Sequence, residues 1–429
     1  MRAEFDYLHQ QFPDGGLFRD KNWRLSPNPV TLSSAQIDEL EAIGRALYAF
    51  SRAANALYFS EDLGPNFKHY LDRGKPDWLL KLQSSPTLRD QVPQVIRPDL
   101  LLTSKGFRLV EIDSLPGGMG TLDLLHQAYS SAGFSPIRSG TSFTEFFSDQ
   151  RTQFAFSEEG LDYFPEIQWL ANQSEGKCRV HPEATIDPQA LASIENSQTY
   201  RYFELWDKDL TPEHRQLLKL ASEGALQMTP PPKAFLEEKL LLALYWMPGL
   251  TEGWKRELAA EHRTVLDQLI PKTWVLDPTP IPETTVQHGT NFWSWEELKD
   301  LSIKDRRLVV KISGFSETAW GSRGVHIGHD ETRTEWQASV TQALAAFDTN
   351  PYLMQPFEDS SKFDHNYYDD TGKVERIESV ARFNPYFQVR DGRTSIASVM
   401  AVVCPSDKKK IHGMTDASLV PCIRRNPEN

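Results

Sequence analysis

The sequence predicts a mixed α+β and α/β protein of several layers, and three observations predict it. An amphipathic helix and proline-broken helical stretches occupy the first 90 residues. Strand and helix patterns alternate through the middle of the chain in the manner of a parallel sheet. Strand after strand with few helices follows towards the C-terminus. The 429 residues suffice for two or three domains, and 39% hydrophobic with 11% aromatic residues is ample for packed cores. The expected division is a helical segment at 1–90, a short acidic hairpin unit at 91–125, an α/β domain at 126–232 and a larger domain at 233–429.

Composition also bounds the partners. With 46 Lys and Arg against 59 Asp and Glu the formal net charge is −13. That argues against nucleic acid and against an anionic membrane, because phosphate backbones are held by clustered Lys and Arg. It leaves open a small polyanion held in one local basic pocket. The longest apolar run, Leu240 to Met247, is far below the roughly 18–20 residues that span a bilayer. The N-terminus lacks the apolar stretch of a secretory signal. Cys178, Cys404 and Cys422 are too few and too scattered for a disulfide framework or a CxxC zinc site. A cytoplasmic protein is expected, with its oligomeric state open.

In chain order, Ile37, Leu40, Ile43, Leu47 and Phe50 recur at helical spacing behind Ser33, which forms a capping box with Gln36. A second helix is expected over Leu71–Leu82. Residues 95–113 read as two strands about a turn at Ser104-Lys105-Gly106. The glycine-rich SLPGGMG leads into a helix that Gly133 closes. TQFAFSEE, KCRVHPEATI and YRYFELWDKD read as strands, with helices over Tyr163–Gln173 and from Pro212. The proline-rich MTPPPKAF leads into a helix containing LEEKLLLALYW. Six further strands, in PKTWVLDP, RRLVVKISG, RGVHIGHD, YLMQPFED, SVARFNPYFQV and SIASVMAVVC, are expected in one mostly antiparallel layer, with a helix near Glu335–Phe347. DHNYYDDTGK reads as an acidic surface loop.

Five groups of residues carry possible chemistry. Arg97, Asp99, Glu111 and Asp113 alternate along the 95–113 strands. A three-residue turn with Gly106 at positive φ would set Asp99 opposite Glu111 and Arg97 opposite Asp113, all on one face. A two-residue turn would shift the register by one and separate the charges. Three carboxylates so close call for a cation, and oxygen ligands suit Mg²⁺; the alternative is a solvated face with an Arg97–Asp113 pair. Lys311 ends a strand before a loop containing Gly314, Gly321 and Gly324, where backbone N–H groups could approach phosphates, with Arg323 at the loop end. A plain hairpin with a long loop is the alternative. Lys233 and Lys239 stand six residues apart beside an apolar helical side, or merely reach water along it. The Gln355–Phe357 backbone could contact an adenine. Arg382 and Asn384 interrupt an apolar strand, either against a buried anion or paired with surface acids.

Together these parts resemble the circularly permuted ATP-grasp enzymes, most specifically the synthetase domain of glutathionylspermidine synthase. In that family R-x-D is followed, twelve residues after its Asp, by E-x-N, and RPD and EID keep that spacing from Asp99 to Glu111. The resemblance implies an ATP-grasp fold of the glutathione synthetase type with a Rossmann-like pre-ATP-grasp domain and an N-terminal helical segment. It implies ATP and Mg²⁺, with Asp99, Glu111 and Asp113 as metal ligands. Lys239, Lys311, Gly314, Gly321 and Gly324 would meet the phosphates, and Gln355-Pro356-Phe357 the adenine. Arg97, Arg323 and Arg382 would hold the acceptor carboxylate or the acyl phosphate. The implied activity is ATP-dependent joining of a small-molecule carboxylate and an amine through an acyl phosphate, with a phosphotransferase of the same fold or a catalytically inactive nucleotide-binding protein as alternatives. Asp113 stands where the family has Asn, the loop after Lys311 is longer, and no amidase domain is fused. The last two departures point away from glutathione and spermidine as substrates.

Overall fold

A computed structural model of the protein describes residues 2–13, 23–206, 210–279, 294–319, 323–411 and 416–425. Sixteen strands among them are β1 Val30–Leu32, β2 Val95–Ile96, β3 Pro98–Thr103, β4 Gly106–Ile112, β5 Thr152–Phe156, β6 Arg179–His181, β7 Gln198–Tyr202, β8 Met228–Thr229, β9 Trp274–Val275, β10 Leu308–Ile312, β11 Val325–Ile327, β12 Tyr352–Pro356, β13 Phe363–Tyr368, β14 Val374–Arg390, β15 Arg393–Pro405 and β16 Ser418–Arg424.

They form three sheets. The largest runs β1-β16-β15-β14-β3-β4, with β13 and β2 also pairing with β14. A four-stranded sheet of order β6-β5-β7-β8 is wholly parallel. That agrees with the alternating pattern of the middle segment, since parallel neighbours need a crossover between them. The third, β11-β10-β12-β9, is antiparallel. The single antiparallel layer expected towards the C-terminus is therefore two separate sheets, with a cavity between them.

The helix Ser34–Tyr58 begins at the expected capping box and lays Ile37, Leu40, Ile43, Leu47 and Phe50 into the core. It packs against β2, β14 and β15, so its apolar stripe covers one face of the largest sheet. The helix Met119–Ser131 ends at Gly133 as expected and lies between this sheet and the parallel one, touching β15, β16 and the helix Phe164–Gln173.

Several local expectations are corrected. The helix over Leu71–Leu82 is two helices, Gly64–Leu71 and Asp77–Gln83, interrupted at Gly74, whose φ is +70°. A Cβ on Gly74 would lie 1.8 Å from the Thr349 carbonyl oxygen, so the break follows from a distant contact. The N-terminal segment is not purely helical, because β1 pairs in parallel with β16. Lys233 and Lys239 lie at the starts of a 3₁₀ turn, Ala234–Glu237, and of the helix Leu240–Trp246, rather than within one helix. The first half of the expected acidic loop, Asp364–Tyr368, belongs to β13, which pairs with the start of β14, and the second half is the turn between them. No helix among the described residues is long and apolar enough to cross a membrane.

Candidate functional site

The β3–β4 hairpin brings the carboxylates together by a different route from the one expected. Its loop is two residues, Ser104 and Lys105, with Thr103 opposite Gly106, and Gly106 takes φ +93°. Such a loop alone would leave Asp99 and Glu111 out of register. β4 instead carries one residue more than β3: the pairing moves from Leu100↔Leu109 to Asp99↔Glu111, leaving Val110 as a bulge. The expected register is thereby restored. Asp113 donates its backbone N–H to the Arg97 carbonyl at 2.9 Å, and β14 lies along the far side of β3, with Phe383 opposite Leu100.

Asp99 is only 1% exposed, and its carboxylate meets Arg382 Nη1 at 2.8 Å, the Asn384 side-chain amide, and Arg97 Nε at 3.6 Å. Burial pushes its carboxyl above the usual range against the pull of Arg382 and Arg97. Asp113 pairs with Arg97, so the pair foreseen for a solvated face does form, but under cover. Burial works against the charge of Arg97, yet Asp113 and its other neighbours hold the guanidinium more firmly protonated than usual. Arg97 Nη1 also donates to the Gly117 carbonyl at 3.3 Å.

The cations arrive from the other side. Lys311, on β10 and 6% exposed, donates to the carbonyl of the bulged Val110 at 3.0 Å and to Gln355 Oε1 at 2.9 Å. Lys239 Nζ donates to the carbonyls of Ser313 (3.3 Å) and Ala319 (2.8 Å) and lies 3.5 Å from Glu111 Oε2. Burial lowers the Lys311 pKa to about 8, opposed by Glu111. Burial also works against the charge of Glu111, but Lys239, Lys311 and the two arginines outweigh it and hold the carboxyl below its usual range.

Between the largest sheet and the β9–β12 sheet lies a cavity of about 410 Å³. Glu111, Lys311, Gln355, Pro356, Phe357 and Arg382 all line it. So do enough other charged side chains that eight Lys and Arg face four Asp and Glu there, a local cationic excess in a chain of net charge −13. Asp99 and Asp113 lie behind this wall, and Lys239 adjoins it through Glu111. Gln355 contributes its side chain, which donates to Thr273 Oγ1 at 3.1 Å as well as accepting from Lys311. The Phe357 N–H already donates to the Arg307 carbonyl at 2.9 Å.

The loop after Lys311 is more self-contained than expected. A Cβ on Gly314 would lie 3.0 Å from both the Glu237 carbonyl and the Glu238 carboxylate, and one on Gly324 would lie 2.6 Å from Ile312 Cγ2. Both glycines therefore pack against their own chain. Arg323 is exposed, and Gly321 lies outside the described residues. Lys233 is remote from the cavity. It is fully buried and donates to Asn55 Oδ1 (2.6 Å) and the carbonyls of Arg89 (3.0 Å) and Gln91 (2.8 Å).

Two neighbouring groups escaped the sequence reading. Glu166 accepts from the N–H groups of Gly118 and Thr121, the latter at 2.8 Å, so the N-terminus of the helix after the glycine-rich loop is satisfied by the protein's own carboxylate. Burial raises the Glu166 pKa to about 7. Tyr200 and Tyr386 donate to the carbonyls of Pro116 (2.9 Å) and Gly117 (2.8 Å), tying that loop to two sheets at once. Aromatic residues in strands ordinarily read as core, so neither hydroxyl left a pattern to read. Among the described residues, no three or more His, Cys, Asp and Glu side chains converge as a metal-binding group.

Sheets and helices so arranged make a mixed α+β fold similar to that of glutathione synthetase-like proteins. The solved structure of a glutathione synthetase-like effector from Globodera pallida, in its apoform, matches 99% of this chain and 96% of its own, at 13% identity and a TM-score of 0.59. A putative gamma-glutamylcysteine synthetase from Methylobacillus flagellatus matches 92% and 90%, at 13% identity and a TM-score of 0.42. No protein-family model matches the chain, and no curated protein matches it by sequence.

Proposed function

We propose that this protein is an ATP-dependent carboxylate–amine ligase of the ATP-grasp type, in the permuted order, forming an amide through an acyl phosphate. The observation that carries the reading is the buried Lys311 ammonium, set at the wall of the inter-sheet cavity beside Glu111 and Lys239. Two lysines and a carboxylate between two layers suit a polyphosphate, whose charge they would partly neutralise. The joining of β3–β4, from the first quarter of the chain, to β14, from the last, supports the permuted order.

The donor set fits a hard cation. Glu111 lines the cavity, Asp99 lies opposite it, and Asn384 Oδ1 is buried with no hydrogen-bond partner. Of the expected trio, Asp113 is engaged by Arg97 and Asp99 by Arg382 and Asn384, so Glu111 is the member that faces the cavity. Bound Mg²⁺ would supply charge neutralisation at the phosphoryl group being transferred. In the proposed mechanism Lys311 and Lys239 exchange their present carbonyl partners for phosphate oxygens, and the Pro356 and Phe357 backbone borders the base. Arg382 and Arg97, with Arg323 at the loop end, face the acceptor carboxylate, and the cavity walls limit the water that would hydrolyse the acyl phosphate.

The test is to incubate the protein with Mg-ATP, a panel of carboxylic acids and hydroxylamine. A ligase of this kind yields ADP, phosphate and a hydroxamate, and Glu111→Gln abolishes all three while remaining folded. A phosphorylated acceptor stable to hydroxylamine would identify a phosphotransferase instead, and Mg-ATP binding with no turnover across the panel would identify a binding protein.

A further inference from the structure

Lys75 belongs to the break between the helices Gly64–Leu71 and Asp77–Gln83, far in sequence from any residue of the cavity. Its side chain is nevertheless fully buried, and its ammonium pairs with Glu238, the residue before Lys239. The other Glu238 oxygen accepts from Ser313 Oγ, the first loop residue after β10. Ser313 in turn accepts the Leu240 N–H on its hydroxyl at 2.9 Å, and the Lys239 backbone N–H (3.4 Å) and ammonium (3.3 Å) on its carbonyl. An unbroken chain of polar contacts thus runs from Lys75 to the Lys239 ammonium.

Two further observations bear on the same point. Lys75 Nζ lies 5.3 Å from the centroid of the Phe315 ring, and Phe315 has φ +45°. A bulky residue in that conformation is strained and persists only where its surroundings hold it. The Lys75 segment is itself anchored. Arg73 pairs with Asp348 and lies 4.1 Å over the Phe347 ring, and Gly74 meets Thr349 so closely that no side chain fits.

From these contacts we infer that Lys75 is a positioning residue of the site: through Glu238 it fixes the start of the loop after β10 and, with it, the placement of the Lys239 ammonium. The N-terminal helical segment is then a working part of the site rather than a cap on it. A buried ion pair contributes little net stability compared with an apolar pair of the same volume. What it adds here is direction, since each Glu238 oxygen has one donor and each donor one place. The consequence for nucleotide binding rests on the function proposed above; the clamp itself does not.

The full-length protein tests both parts separately. Hydrogen exchange without ligand is measured on the wild type, Lys75→Met, Glu238→Gln and the double variant. The double variant removes both charges at nearly constant volume and so stays foldable where a single change leaves a lone buried charge. Amides at 313–319 are expected to exchange at least about tenfold faster in the double variant, while those of β14 and β15 and the melting temperature change little. Unchanged exchange at 313–319 would overturn the clamp. By calorimetry, the double variant should bind Mg-ATP about tenfold more weakly, and an unchanged affinity beside a loosened loop would overturn the link to Lys239. A wild type that binds no Mg-ATP would sink the nucleotide reading alone, with the exchange result still deciding the clamp.

Discussion

The Lys311 ammonium donates to the carbonyl oxygen of Val110 at 3.0 Å, and Val110 is the one residue by which β4 outnumbers β3. The bulge therefore acts twice. It puts Asp99 opposite Glu111, and it supplies the carbonyl that receives the lysine from the other sheet. Because side chains alternate with a period of two, a single inserted residue decides which face each carboxylate occupies.

Deleting Val110 should leave Asp99 opposite Glu111 in an unbulged ladder but remove the carbonyl that receives the Lys311 ammonium. The variant is expected to keep its far-ultraviolet circular dichroism and to lose the rise in melting temperature that the proposed function expects Mg-ATP to give the wild type. If that rise persists, the bulge does not set the site.

Removing the Lys311 ammonium by Lys311→Ala should weaken Mg-ATP binding by about tenfold to a hundredfold, the scale of one or two hydrogen bonds to a charged group. Titration calorimetry measures it. Equal affinity in the variant would remove Lys311 from the proposed nucleotide site.

Lys233 predicts the opposite outcome. Lys233→Met leaves Asn55 Oδ1 and the carbonyls of Arg89 and Gln91 without their buried donor, a loss of about 2–4 kcal/mol. Urea unfolding should show that loss, while Mg-ATP affinity stays at the wild-type value. Weaker binding by the folded variant would place Lys233 in the site after all.

Glu166 gives a pH dependence with a definite sign. Burial raises its pKa from 4.5 to about 7 in the folded state, so between those values the folded protein holds a proton that the unfolded chain releases. The group favours folding most fully below pH 4.5, and that contribution is lost as pH rises through about 7. Its size is of order 3 kcal/mol. Unfolding measured from pH 4.5 to 7.5 should show Glu166→Gln flattening this fall, and parallel curves for the two proteins would contradict it.

What could be read in advance was mostly local. The capping box at Ser33, the apolar stripe behind it and the Gly133 helix end depend on residues within a few positions of one another. The parallel sheet was legible because strand and helix patterns alternate visibly through the 152–229 stretch. The Asp99–Glu111 pairing was foreseen, but its mechanism was not, because a bulge is fixed by what lies across the fold. The same holds for the break at Gly74, forced by Thr349, and for the bond between Lys75 and Glu238, which are 163 positions apart. The division of the later strands into two sheets depended on which strands the hairpin of residues 98–112 would join.

The largest sheet is woven from both ends of the chain: β1, at residues 30–32, pairs with β16 through Val30 and Cys422, and β3 pairs with β14. As the polypeptide leaves the ribosome, β1 waits for a partner 392 residues away (Val30 to Cys422) and β3 for one 283 residues away (Leu100 to Phe383), while the parallel sheet of residues 152–229 has all its neighbours within one contiguous stretch. The order of synthesis thus favours the middle of the molecule maturing first, and the cavity walls close only when the segment from Val380 to Ile411 is delivered.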